Sequence, residues 1–228
     1  MDIHKPKPWR GVREFLKEYL IIVVGVLTAL AGEQAVEAIH HREQVEQTRT
    51  ALRAEMTRMA TTALSVQQSD RCFLTVLGEY DAWARGGSKP GPWFPDTARG
   101  GGSVWEEARA GGVVGYMDIR ERLAFSRFYG QVQNQSSLVD IKREFARHLG
   151  GFLNLDALDQ ASAQALLRET GGNRGLIRVM IFNADQIVAL ARQLGATPRA
   201  PSAAAEQRLD ALCQEAARWS STQAGKGR

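Results

Sequence analysis

The stretch Glu18–Gly32 reads E-Y-L-I-I-V-V-G-V-L-T-A-L-A-G, and its interpretation sets the compartment and architecture of everything that follows it. Tyr19 to Gly32 carries no charge; Lys17 with Glu18 on one side and Glu33 with Gln34 on the other mark where water or lipid headgroups begin. As a helix these fourteen residues rise about 21 Å, less than the ~30 Å hydrocarbon core of a bilayer. Extension from Phe15 to Ile39 supplies the missing length, because the Lys17 stem can snorkel and Ala35, Val36 and Ile39 continue the apolar stripe. The expectation is a transmembrane anchor over 18–39.

Outward from the anchor, residues 1–17 hold Lys5, Lys7, Arg10, Arg13 and Lys17 against Asp2 and Glu14, with Trp9 placed as an interfacial aromatic. Short basic flanks stay in the cytoplasm. The leader is therefore expected inside and the rest of the chain in the periplasm, across a bacterial inner membrane. A rival reading is a signal peptide cleaved after Ala31, since Ala29-Leu30-Ala31 is an A-x-A pattern. Glu18 abutting the apolar run, and the lack of any breaker before the next helical pattern, favour a retained anchor; both readings export the remainder.

The string Glu18 to Gln34 resembles the N-terminal anchor of a group of uncharacterised bacterial single-pass inner-membrane proteins, which follow a basic leader with E-x-x-I-I-V-x-G-V-L-x-A-L and a polar helix. The resemblance implies an uncleaved anchor and a bacterial source, and no activity.

The 228-residue chain has room for one ordinary domain beside the anchor. Its 24% charged residues exclude global disorder, and its net charge of +4, with basic and acidic residues interspersed, excludes a phosphate-tracking nucleic-acid binder. Ala, Leu, Gln, Arg and Glu dominate and alternating β-branched runs are missing, so the fold is expected to be all-α. The predicted architecture is the anchor, a long amphipathic stalk and an antiparallel helical bundle.

Residues 40–85 form the stalk and first bundle helices. Val36, Ile39, Val45, Leu52, Met56, Met59 and Ala63 recur at helical spacing, with His41, Thr48 and Arg49 interrupting the seam of a coiled coil. Ser69-Asp70 either caps a new segment or lies within a continuing helix, and a second stripe follows through Cys72, Phe73, Val76, Leu77, Tyr80 and Trp83. Residues 86–103 contain three prolines and six glycines and are read as a loop anchored by Trp93 and Phe94. The bundle continues over 104–221: a short helix capped by Ser103, and a long one opened by the Asp118/Glu121 capping box and running to Gly150. A short helix over 156–170 ended at Gly171-Gly172, an apolar helix over 176–194 and a last helix from Ser202 follow. Residues 222–228 are a disordered tail.

Few residues suggest chemistry. Cys72 and Cys213 each lie on an apolar helix face; an oxidising periplasm pairs them, and the alternative is two buried free thiols. Gly25 with Ala29, and Thr28 with Gly32, are four apart, a spacing that lets membrane helices approach closely, although Gly and Ala are frequent in such helices anyway. Glu33, Glu37, His40 and His41 make an interfacial polar cluster that could offer metal ligands but is read as solvated, so no metal or other cofactor is expected. The only histidines are His4, His40, His41 and His148, too few for a nucleophile–base pair, and no phosphate-binding glycine motif is present. The reading is a non-enzymatic single-pass protein whose periplasmic domain binds another inner-membrane protein or self-assembles, with membrane lipid around its anchor. The alternative is a small-ligand-binding or sensory domain, its pocket covered by the Trp93-Phe94 loop, acting through a membrane partner.

Overall fold

The computed structural model describes residues 11–91 and 101–200, and seven residues within 203–214; Trp9, Trp93 and Phe94 lie outside the described residues. The described residues are all-α, as expected. Four α-helices and one 3-10 turn follow in order: α1 (Val12–Ala84), α2 (Ser103–Ala110), a 3-10 turn (Val113–Tyr116), α3 (Ile119–Phe152) and α4 (Gln160–Gln193). The chain divides into two compact units, Met1–Gln47 and Thr48–Arg228.

In the first unit, α1 begins after Gly11, whose carbonyl accepts from the backbone N–H groups of Glu14 and Phe15. Leu20, Ile21, Ile22, Val24, Val26 and Leu27 are all more than half exposed. This part of α1 is long and apolar enough to cross a membrane, and none of it is buried within the chain.

In the second unit, α1, α3 and α4 pack through seams that advance strictly by three and four residues. On α1 the seam is Leu52, Met56, Met59, Ala63, Val66, Asp70, Phe73, Leu77 and Tyr80; on α3 it includes Phe125, Phe128, Val132, Gln135, Val139, Lys142 and Leu149. On α4 it is Leu166, Thr170, Asn173, Ile177, Met180, Ala184, Ile187 and Ala191. Alternating threes and fours average 3.5 residues, so each seam stays on one side of its helix along its whole length. The interruption expected around His41, Thr48 and Arg49 ends at Leu52.

Cross-helix pairs give the directions. Arg49 meets Glu121, Glu55 meets Tyr129 and Asp70 meets Lys142, so α1 and α3 run the same way. Gln67 meets Asp185 and Asp81 meets Thr170, so α4 runs antiparallel to α1; Gln131 with Asn183 and His148 with Glu169 show it antiparallel to α3 as well. The antiparallel character of the bundle thus comes from α4.

Helix ends follow local chemistry. Gly86 has φ +93°, and the N–H groups of Gly86 and Gly87 bond the carbonyls of Trp83 and Ala82, the double closure that a left-handed glycine permits at the end of α1. Gly195, φ +77°, with Ala196 closes α4 in the same manner. Asp118 caps α3 by accepting from the N–H groups of Arg120 and Glu121. Of the two readings open at Ser69-Asp70 the continuous one holds, since α1 passes straight through; the helix end expected at Gly171-Gly172 does not exist, because α4 passes through it. Burial of the flanking seam outweighs the roughly 1 kcal/mol helix penalty of each glycine.

Candidate functional site

The interior of the bundle is polar at three levels. At the first, Glu55 of α1 is buried and accepts hydrogen bonds from the Tyr129 hydroxyl (2.8 Å), the Val104 N–H (3.2 Å) and the Ser103 hydroxyl (3.4 Å). The residue at the cap position of α2 is Gly102, which has no side chain to cap with. A carboxylate from another helix therefore satisfies the first turn of α2 and meets the positive end of its dipole. Ser103, expected as the cap, is the first helical residue and points its hydroxyl at Glu55. Glycine is required at 102 because a Cβ there would approach the Tyr129 ring to 2.9 Å. Trp105 stacks on Tyr129 with centroids 5.3 Å apart, and Phe128 meets Tyr129 edge-on. Burial and the hydrogen bond to Glu55 push the Tyr129 hydroxyl far above the ordinary phenol range.

At the second level, Lys142 Nζ lies 2.8 Å from Asp70 Oδ1, and both side chains are 0% exposed. Removing either charge would leave the other desolvated, while the cost of taking both out of water opposes their attraction. Nearby, Gln67 donates to Asp185 Oδ1 (2.6 Å) and Gln131 donates to Asn183 Oδ1 (2.9 Å). At the third level Asp81 receives the Thr170 hydroxyl and the Arg174 guanidinium (2.7 Å), with Arg85 at 3.9 Å. His148, at the end of α3, has Nδ1 3.1 Å from Glu169 and Nε2 3.1 Å from Glu144. Its two nitrogens thus face carboxylates on different helices.

The sequence-nominated residues fall as follows. Cys72 and Cys213 are joined at disulfide distance with Cα atoms 5.6 Å apart. Gly25, Thr28, Ala29 and Gly32 are exposed; a Cβ on either glycine would meet nothing within 4 Å, and the Thr28 hydroxyl donates to the Val24 carbonyl. Glu37 contacts His41 at 3.3 Å and His40 contacts Gln44 at 3.0 Å, ordinary partners one turn apart on an exposed helix. Among the described residues, no three His, Cys, Asp or Glu side chains are grouped as metal ligands.

Sequence reading missed the charges in the seams. Asp70 is the one polar residue in the α1 seam and Lys142 the one charge in the α3 seam, and opposite charges in two seams are a legible signal of a buried pair. Glu55 gives no such signal, because its role depends on α2 arriving from a distant part of the chain.

One further surface stands out. The face of α4 opposite its seam carries Gly171, Gly172, Gly175, Val179 and Phe182; Val179 is 50% and Phe182 61% exposed. No family model matches the chain, and no curated protein or solved structure is significantly similar to it.

Proposed function

We propose that the chain is a single-pass inner-membrane protein, N-terminus in the cytoplasm, whose periplasmic helical bundle is a non-enzymatic module that assembles with a second copy of itself. The observation that carries the anchoring is the apolar part of α1, which the described residues leave exposed. The basic leader supports the orientation. Two open faces support association. Gly25, Ala29 and Gly32 allow close helix approach in lipid. Gly171 and Gly175 give the outer face of α4 a low profile beside Val179 and Phe182, which supply apolar contact area at helical spacing. The buried polar levels act in this reading as register devices that hold the bundle in one arrangement.

Alkaline extraction of membranes tests the anchor, with the chain expected in the pellet; release into the supernatant overturns it. A phosphatase fused to the C-terminus is expected to be active only if that end is exported. Crosslinking of the detergent-extracted chain is expected to give a dimer that Phe182→Asp weakens. A monomer at all concentrations would refute self-assembly, and a heterologous crosslinked product would transfer the role to a different membrane partner.

A further inference from the structure

Where the chain leaves α4, Arg199 is pinned to α1: its backbone N–H donates to the Thr61 hydroxyl at 3.0 Å. The Thr61 hydroxyl in turn donates to the Thr57 carbonyl at 2.7 Å. Between the two segments lies a groove of about 590 Å³ lined by Ala54, Thr57, Arg58, Thr61 and Arg199. That volume is within the range of small-molecule sites, roughly 300–1,000 Å³.

Among the described residues that line the groove the charges are of one sign: Arg58 comes from α1 and Arg199 from the segment after α4. Among the described residues neither guanidinium has a carboxylate partner. Arg53, one turn before Thr57, adds a third cation near the same segment, its Nε donating to the Leu194 carbonyl at 3.3 Å. The nearest acid on this part of α1, Glu55, is committed to Tyr129, Val104 and Ser103. Arg49, Arg174 and Arg147, by contrast, meet Glu121, Asp81 and Glu144. Two guanidiniums contributed by separate elements to one groove suit a phosphate, whose oxygens accept paired N–H donors. The remaining wall, Ala54 with the Thr57 and Thr61 methyls, suits an apolar or sugar-sized body.

We propose that this groove binds an organic phosphate, its head between Arg58 and Arg199 and its body along Ala54 and Thr57. The proposal stands apart from membrane anchoring and self-assembly.

The test is calorimetric titration of the detergent-solubilised full chain with phenyl phosphate, phenol and inorganic phosphate. Phenyl phosphate is expected to bind saturably, phenol not at all, and inorganic phosphate more weakly. Arg58→Gln and Arg199→Gln are each expected to weaken phenyl phosphate about tenfold, with the double variant silent. Arg178→Gln, an exposed arginine on α4 away from the groove, is expected to leave affinity unchanged. Both groove side chains are exposed, so the variants are expected to keep the parent's helical circular dichroism and melting temperature. Displacement by micelles doped with phosphatidic acid, but not phosphatidylcholine, would assign the phosphate to a lipid headgroup; lack of displacement would assign it to a soluble ligand. No saturation by about 10 mM phenyl phosphate, or an equal loss in Arg178→Gln, would overturn the site.

Discussion

Asp70 and Lys142 face each other across α1 and α3 inside the bundle. Each is fully enclosed, so the desolvation of both charges opposes their attraction. Asp70→Ala or Lys142→Ala is expected to destabilise the bundle by about 3–5 kcal/mol in urea unfolding, because one buried charge is left uncompensated. The joint replacement Asp70→Leu with Lys142→Met is expected to be neutral or stabilising; a joint loss as large as the single ones would mean that the pair contributes more than register. The buried phenols give a second residue-scale prediction. Burial, and the nearby Glu79 carboxylate, push the Tyr80 hydroxyl up to about 12 from its ordinary 10.0, and Tyr129 rises as well. An acid whose folded pKa is raised contributes full stability below its unfolded value and loses it as pH climbs. Stability is therefore expected to hold to about pH 10 and to fall as pH rises from there towards 12, with tyrosinate absorbance appearing together with unfolding. Tyr80→Phe should flatten that decline, and an unchanged alkaline slope would remove Tyr80 as its source.

At the scale of elements, α4 is the informative helix. Glycines at 171, 172 and 175 suggest a helix end, yet the buried residues Thr170, Asn173 and Ile177 carry the seam straight through them. The continuity was hidden in the sequence because local propensity and seam phase point to different conclusions, and packing decides. A Cβ at Gly171 or Gly175 would meet nothing within 4 Å. Gly171→Ala and Gly175→Ala are accordingly expected to stabilise the isolated chain by about 0.5–1 kcal/mol each, read as a rise in the unfolding midpoint. If the outer face of α4 joins a second copy, the same substitutions should weaken the crosslinked dimer. Stabilisation with an unchanged dimer yield would separate the glycines from assembly. The loop-bound helix α2 makes the complementary point: its start was legible to within a residue, but its cap is a carboxylate contributed by α1.

Across the whole molecule, the Cys72–Cys213 link spans 141 residues, from the first bundle helix to the C-terminal segment. Cross-links over long loops restrict the unfolded chain most, so reduction, or Cys72→Ser, is expected to lower stability by about 2–5 kcal/mol. Melting with and without reductant checks this, and identical curves would mean that the link is not formed in solution. The class of the fold, a helix long and apolar enough to cross a membrane and the pairing of the cysteines were open to reading because they depend on composition, on continuous hydropathy and on a count of two. Periodicity and capping rules likewise marked the start of α3, since Asp118 bonds its own first turn. These are properties of neighbours in the chain. The parallel course of α1 and α3, the enclosure of Lys142, the cap that Glu55 gives α2 and the Arg58–Arg199 groove join residues dozens of positions apart. Nothing local encodes them; they arise when three three-four seams bury apolar surface together and the charged residues in those seams must find each other or remain desolvated.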